Sequence, residues 1–377
     1  MSPRVALLAD YWRPGWRAGG PITSLGNLVD RTTVPVAVFT RDHDLNSRTS
    51  YPNVEANNYS QHGDTHVAYL RGATGVAWAF KQLRLSHPTA IHINSVHSPA
   101  FGILPLLALR MGLLKAHSIL ISPHGELSPA SQAHKPLKKR ISRPILRRVV
   151  PHSAVWHATS RAEASDITAW LQRDPALVIA PDSPPTPNTE SLTRFIDIDE
   201  IPTILFASRI HPIKGLDRAI SIVGQLSVPL RFVIAGPVED ERYWVACQAL
   251  IDELPDSVIV ETLGPYEPQD VASLVGAARV LLLPTRGENF GQAIAEALAS
   301  GCPVAIPPTT PWHDYIGPSL GCVSDSDTSL VAFLEEVLRE SQEDHLRRRR
   351  AAFDAYLSWF ETVSDDDIYA QVLGDTL

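Results

Sequence analysis

Short runs of residues apolar on both faces alternate with helical stretches along the whole chain, and this alternation narrows the fold more than any other feature. In the first half the runs are 5–9, 34–40, 67–70, 90–96, 119–122, 154–159 and 178–180, with helical patterns such as 75–85 and 161–171 between them. A strand that is apolar at consecutive positions must be covered on both sides, as in parallel sheets flanked by helices. Pro181, Pro184, Pro185 and Pro187 then stiffen one short stretch and mark a domain boundary. Beyond it the pattern restarts with runs at 203–207, 232–235, 258–262, 280–283 and 304–306, helices at 215–226 and 292–300, and a purely helical stretch from 328 onward. The prediction is an α/β protein of two doubly wound domains, each on a parallel sheet, facing each other across a cleft. Ligands of such sheets bind beyond the carboxyl ends of the strands.

A length of 377 residues suits two domains of ~150 residues each. Hydrophobic residues at 44% and charged ones at 20% supply buried cores and exclude disorder, collagen and coiled coil. Cys247, Cys302 and Cys322 are too scattered for a disulfide framework or a zinc site, which fits a reducing cytoplasm. Arg4 is followed by too short an apolar run for a signal peptide, and 101–114 is interrupted by Pro105 and Arg110, so no membrane span is expected.

The net charge of −8 is unevenly placed: residues 1–180 carry 20 Lys+Arg against 10 Asp+Glu, the remainder 13 against 31. A basic first half predicts a phosphorylated substrate or an anionic lipid as partner. Nucleic acid is not expected, because neither an aromatic RNA-binding motif nor a zinc finger is present.

The richest segment is 281–304, in which an apolar run ends at Pro284, a loop carries Gly287-Glu288-Asn289-Phe290-Gly291, and a helix follows. The backbone N–H groups of Asn289, Phe290 and Gly291 open that helix and form a site for anionic or hydroxyl oxygens. Glu288 and Glu296 are eight residues apart, up to ~12 Å on a helical rise, too far for a glycosidase pair but suited to two hydroxyl groups of one extended ligand. The alternative is a helix cap and a solvated helix residue. Arg209 and Lys214 flank the loop after the run 203–207, where cations and a helix N-terminus together hold a diphosphate; plain surface charge is the other reading. Gly19 and Gly20 follow the first run and permit close backbone approach, and His124 follows the run 119–122. Asp42/Asp44, Asp197/Asp199 and Asp325/Asp327 form Asp-x-Asp pairs without strand context and read as turn and solvent residues, so no metal is expected. Arg347 to Arg350 reads as the solvated face of a helix.

In order, AGGP at 18–21, SPHGELSP at 122–129, SRIHPIKG at 208–215, AGP at 235–237 and Glu288-x7-Glu296 resemble the retaining nucleotide-sugar glycosyltransferases of family 4, and do so over nearly the whole chain. The resemblance implies the GT-B fold of two Rossmann-like domains. It implies that residues 1–182 with a returning helix at 360–377 form the acceptor-side domain, 183–201 a linker, and 202–359 the nucleotide-sugar-binding domain. Glu288 would contact donor-sugar hydroxyls and Glu296 the ribose, while Arg209 and Lys214 would hold the diphosphate. Gly19, Gly20, Gly236, Asn289, Phe290 and Gly291 would complete the donor site, and His124 would lie near the reacting sugar. His124, Glu288, Arg209 and Lys214 are the implied catalytic set. One departure is 307–314, Pro-Pro-Thr-Thr-Pro-Trp-His-Asp, where many relatives have a glycine-rich GG-x-PE stretch.

The implied reaction moves a sugar from a nucleoside diphosphate, UDP before GDP-mannose, to an acceptor hydroxyl with retained configuration, in bacterial polysaccharide or glycolipid assembly. The nucleotide-sugar is a substrate, and no cofactor is implied. A nucleotide-sugar epimerase on the same fold and a non-catalytic sugar-binding protein are the alternatives. Finally, Lys135, Lys138, Lys139, Arg140, Arg143, Arg147 and Arg148 alternate with apolar residues and no acidic one over 135–148. Such a basic amphipathic helix is either a solvated face or a contact with anionic lipid or a lipid-linked acceptor, making the protein peripheral on the inner membrane face.

Overall fold

In a computed structural model the chain forms two compact units, Met1–Ser183 with Asp365–Leu377, and Pro184–Ser364. The structure describes residues 4–374 apart from 64, 130–142, 145, 190–200, 318–319 and 364–366.

The first unit holds β1 (Val5–Ala9), β2 (Val36–Arg41), β3 (Tyr59–His62), β4 (Thr65–Leu70), β5 (Ala90–Asn94), β6 (Ser118–Ser122), β7 (Val155–Ala158) and β8 (Ala176–Ile179). They are ordered β3-β4-β2-β1-β5-β6-β7-β8, and all neighbours run parallel except β3 and β4. Along β1, Ala6 and Leu8 enter one core while Val5, Leu7 and Ala9 enter another on the opposite face. The period of two sends alternate side chains to two covered faces, which is why the run is apolar throughout.

The second unit holds β9 (Thr203–Ala207), β10 (Leu230–Ala235), β11 (Val258–Gly264), β12 (Val280–Leu282), β13 (Val304–Ile306) and β14 (Gly321–Val323), all parallel, in the order β11-β10-β9-β12-β13-β14. Chain order reverses at β1/β5 in one sheet and at β9/β12 in the other. At such switch points the loops after neighbouring strands diverge and leave a crevice.

Two strands go beyond the apolar pattern. β3 is a polar, antiparallel edge strand, and β14 is three residues starting with a glycine whose Cβ would lie 2.2 Å from the Val304 carbonyl. Neither presents the two-faced apolar run that identified the others.

The returning helix expected at 360–377 is corrected. One helix, Gln342–Val363, stays with the second unit, because Ala352, Tyr356, Trp359 and Phe360 all pack on that unit's core. The segment that returns is the short helix Ile368–Leu373. Asp367 caps it, accepting from the N–H groups of Tyr369 at 2.8 Å and Ala370 at 3.3 Å, and also accepts from the Thr32 hydroxyl at 2.7 Å. The start of the expected linker is also tied down: the Asn188 N–H donates to the Ala299 carbonyl at 2.8 Å, and the Tyr356 hydroxyl to that of Pro185 at 2.6 Å. Most of the linker, 190–200, lies outside the described residues.

Several charges read as solvated are built into the structure. Asp42 is buried and accepts from Arg71 Nε and the Ser50 hydroxyl, both at 2.6 Å. Asp44 accepts from the N–H groups of Trp16, Arg17 and Leu45 and so shapes the loop after β1. Asp327 pairs with Arg218 at 2.7 Å, while Asp197 and Asp199 lie outside the described residues. Arg349, 1% exposed, donates to the carbonyls of Ala278 and Ser300, and Arg348 pairs with Glu336 and Glu340. Local spacing could not reveal most of these partners, because Arg71, Trp16, Arg17, Arg218, Ala278, Ser300 and Glu336 lie on other segments.

Candidate functional site

In the second unit the site grows from the ends of β9 and β12, neighbours at the switch point. After β9, His211 caps a short turn by accepting from the Ile213 N–H at 3.2 Å, and Gly215 follows with φ 74°. A Cβ on Gly215 would lie 2.3 Å from the Pro284 carbonyl, so the loop rests directly on the end of the β12 segment. The Arg286 N–H and the Thr285 hydroxyl both donate to the Ile213 carbonyl, at 2.7 and 2.9 Å, and the Arg286 guanidinium grips Asp217. This stitching brings Lys214 Nζ to 2.6 Å from Glu288 Oε1, with side chains only 14% and 8% exposed. Arg209 is turned to Glu239 and is more exposed. Each expected diphosphate cation thus already has a carboxylate partner, where the sequence suggested free charge.

Gly291 has φ 85° and caps the helix Gln292–Ala299. The N–H groups of Phe290 and Gly291 have no partner among the described residues, while Asn289 is engaged. The Phe290 carbonyl accepts from the Trp312 indole N–H at 2.6 Å, and Trp312 packs among Phe290, Tyr356 and Trp359. Trp312 belongs to the departing segment 307–314, and sequence reasoning gave it no part in the site.

Glu296 lies on that same helix, Gln292–Ala299, partly buried, with no hydrogen bond or ion pair among the described residues. Burial pushes its carboxyl up to about 7. It is therefore not the solvated helix residue of the alternative reading. Gly236, φ 143°, lies against the Ser208 carbonyl, where a Cβ would approach to 1.9 Å. Its lack of a side chain is a packing requirement between the segments that follow β9 and β10.

In the first unit, Gly19 has φ 68° and opens the helix Gly20–Arg31; a Cβ there would meet nothing, so the turn alone requires it. A second polar group forms at the carboxyl ends of β5, β6, β7 and β8. His124, φ 45°, places Nδ1 3.1 Å from Asp182 Oδ1 and Nε2 2.5 Å from Asn94 Oδ1. Glu163 fixes the loop by accepting from the Gly125 N–H at 2.6 Å and the Thr159 N–H at 2.8 Å. Below lie His92, Ser122 and His157, linked by hydrogen bonds around a small cavity that Asp182 also lines. Burial pushes His92 down, neighbouring imidazoles adding to it, and pushes His157 down against the opposing pull of Asp182. Burial works the same way on His124, but Asp182 outweighs it and raises the ring to about 9. Asp182 was legible only as part of a proline-rich boundary.

Residues 191–353, which lie within the second unit, match the family model described as glycosyl transferases group 1. An MMP alpha-(1->4)-mannosyltransferase of Mycolicibacterium hassiacum is 31% identical over 173 residues, covering 41% of this chain and 39% of that protein. A D-inositol 3-phosphate glycosyltransferase of Xylanimonas cellulosilytica is 29% identical over 173 residues, 41% of this chain and 41% of that protein. The chain spans about two fifths of the length of these two curated relatives. Among solved structures, sucrose-phosphate synthase from Thermosynechococcus elongatus has a TM-score of 0.67 at 17% identity, covering 98% of both chains. Anabaena HepE in complex with UDP and glucose has a TM-score of 0.70 at 14% identity, covering 100% of both. These likenesses establish the GT-B fold.

Proposed function

We propose that the protein transfers a sugar from a nucleoside diphosphate, UDP before GDP-mannose, to an acceptor hydroxyl with retention of configuration. The observation that carries this reading is the Lys214–Glu288 pair beside the N–H groups of Phe290 and Gly291, unpartnered among the described residues, where β9 and β12 end side by side. Lys214, with Arg209, binds the diphosphate; Glu288 binds sugar hydroxyls and the free Glu296 carboxyl the ribose. The bond from the anomeric carbon to the phosphate breaks as the bond to the acceptor oxygen forms on the same face. The departing phosphate takes the acceptor proton, and the cations stabilise the charge it gains. The reading invokes no metal and no cofactor. The UDP and glucose in the HepE complex support the donor, and the family of residues 191–353 supports the reaction class.

A thermal-shift panel of UDP-glucose, UDP-N-acetylglucosamine, GDP-mannose and free UDP tests it. A donor at 100 times its dissociation constant stabilises the fold by about 2.7 kcal/mol. No shift with any of them sinks the proposal, and isomerisation of a donor incubated alone moves the reading to an epimerase.

The acceptor is read as lipid-linked or anionic, in polysaccharide or glycolipid assembly, with peripheral membrane contact. No described helix is long and apolar enough to cross a membrane. Much of 135–148 lies outside the described residues, and Arg147 is committed to the Trp170 carbonyl. The contact is better supported by exposed Leu85, Met111 and Leu113 beside exposed Arg84, Arg110 and Lys115. Hydrogen bonds from His117 and Ser118 to the Thr89 carbonyl join the two loops, and no acidic residue occurs from 65 to 125. Phosphatidylglycerol vesicles at low salt are expected to sediment the protein, phosphatidylcholine vesicles not. Equal sedimentation of wild type and a Met111→Glu, Leu113→Glu double variant removes this surface from the reading.

A further inference from the structure

We propose that Asp182 is a positioning residue that keeps His124 doubly protonated, so that this site offers its substrate a cationic hydrogen-bond donor and not a base. The proposal rests on the reading that His124 meets the substrate, and adds which protonation state does so and what sets it.

The geometry argues it from the chemistry of the partners. Asp182 Oδ1 lies 3.1 Å from Nδ1 and Asn94 Oδ1 lies 2.5 Å from Nε2. A carboxylate and an amide carbonyl oxygen both only accept, so with the Asn94 amide oxygen turned to Nε2 both ring nitrogens donate. A neutral ring would set one nitrogen lone pair against an oxygen at hydrogen-bond distance, with no proton between them.

The neighbouring rings are fixed in the opposite state by a chain of bonds with one direction. The Ala180 carbonyl accepts from His157 Nε2–H at 2.9 Å, and because burial holds that ring neutral its Nδ1 accepts from the Ser122 hydroxyl at 3.1 Å. Ser122 Oγ then accepts from His92 Nε2–H at 2.8 Å, which leaves His92 Nδ1 to accept from the Tyr369 hydroxyl at 3.0 Å. Each of these rings has a single proton. Of the three imidazoles around the cavity, only His124 faces a carboxylate at contact distance.

Among the described residues, the carboxylates that act on His124 point the same way. Asp182 follows β8, Glu163 comes from the helix after β7, and Glu126 from the loop after β6; each favours the charged ring, while the His157 ring, 6.2 Å away between centroids, is neutral. Burial is the opposing influence, and holds the other two rings down. Without Asp182 it would govern His124 as well. An imidazolium cannot take the acceptor's proton, which leaves that role to the departing phosphate. It can donate Nε2–H, now held by Asn94, to a substrate oxygen that gains negative charge.

The test is the pH dependence of turnover, beside NMR of the ring nitrogens in protein carrying labelled histidine. In wild type, His124 is expected to stay doubly protonated through pH 8 and to titrate near 9. The rate should fall as pH rises through that value, because the donor form is lost. Asp182→Asn should move both midpoints to 6.5 or below, lowering kcat at pH 8 by about tenfold or more, with donor KM within about threefold. Asp182→Glu should restore part of the alkaline range. The pairing's contribution to stability has the same sign: complete below pH 6.5 and lost as pH rises through about 9. A wild-type His124 titrating at or below 6.5 overturns the proposal without any variant having to fold. An alkaline limb unmoved in Asp182→Asn overturns it as well. If His124→Gln transfers sugar at the wild-type rate, the substrate contact fails, while glycosyl transfer stands.

Discussion

Glu288→Ala is expected to lower turnover by about 10²- to 10³-fold while leaving nucleoside-diphosphate affinity within a few-fold of wild type. The magnitude is that of removing one preorganised contact to a transition state in a closed site. The asymmetry follows from the 2.6 Å bond to Lys214. Without its carboxylate partner, the Lys214 ammonium is freer to grip phosphate, so nucleotide binding is preserved even as the sugar loses its contact. Lys214→Ala should do the reverse, weakening nucleotide binding by about 10- to 100-fold as a charge-assisted bond worth ~1.5–3 kcal/mol is lost. The two losses should not add in the double variant, because the residues share a bond. Calorimetry with UDP and steady-state rates separate these outcomes; equal loss of UDP affinity in both single variants rules out the division of roles.

Gly236→Ala should destabilise the second unit by about 3 kcal/mol or more, among the larger effects a single methyl group produces. The new Cβ would sit 1.9 Å from the Ser208 carbonyl oxygen, a rigid backbone atom, at φ 143°. Backbone must therefore move, and the Ser208–Arg209 segment with it. Hydrogen exchange of β9 and β10 amides reads the effect within that unit. Gly19→Ala makes the contrast: its Cβ meets nothing within 4 Å, so only the positive φ is penalised, by ~1–2 kcal/mol. If the two substitutions cost the same, close approach is not what Gly236 provides.

The strands were legible because a parallel sheet covered on both faces has a one-dimensional signature. β1, β9 and β13 have the bounds that the apolar runs predict, since every side chain in them except that of Thr203 enters a core. β3 and β14 escaped because edge strands do not need that pattern. The candidate site was legible in position only: Lys214, Glu288 and His124 each lie on a loop that follows such a strand. That Lys214 and Glu288, 74 positions apart, bond to each other depends on β9 and β12 being neighbours, which no local pattern encodes. Asp182 and Trp312 were hidden for a related reason. Both lie in proline-containing segments that look like connections, and their meaning comes from an acceptor or donor elsewhere: His124 for one, the Phe290 carbonyl for the other. Buried Asp42 and Arg349 show the converse error, in which a charged residue is taken for solvent-facing because its partners are far away in sequence.

The Tyr369 hydroxyl that heads the bond chain through His92 has a consequence for biosynthesis. Ile368, Tyr369 and Leu373 complete a core of the first unit, yet they leave the ribosome after the entire Pro184–Ser364 segment. At ~5–20 residues per second, the wait between the end of the eighth strand and Tyr369 is on the order of ten to forty seconds. Throughout it the nascent first unit has all its strands, an uncovered apolar face and a His92 nitrogen with no Tyr369 donor. The second unit is one continuous stretch and can close as soon as it emerges. The part made first is therefore finished last, and it is the part that depends on protection while translation continues.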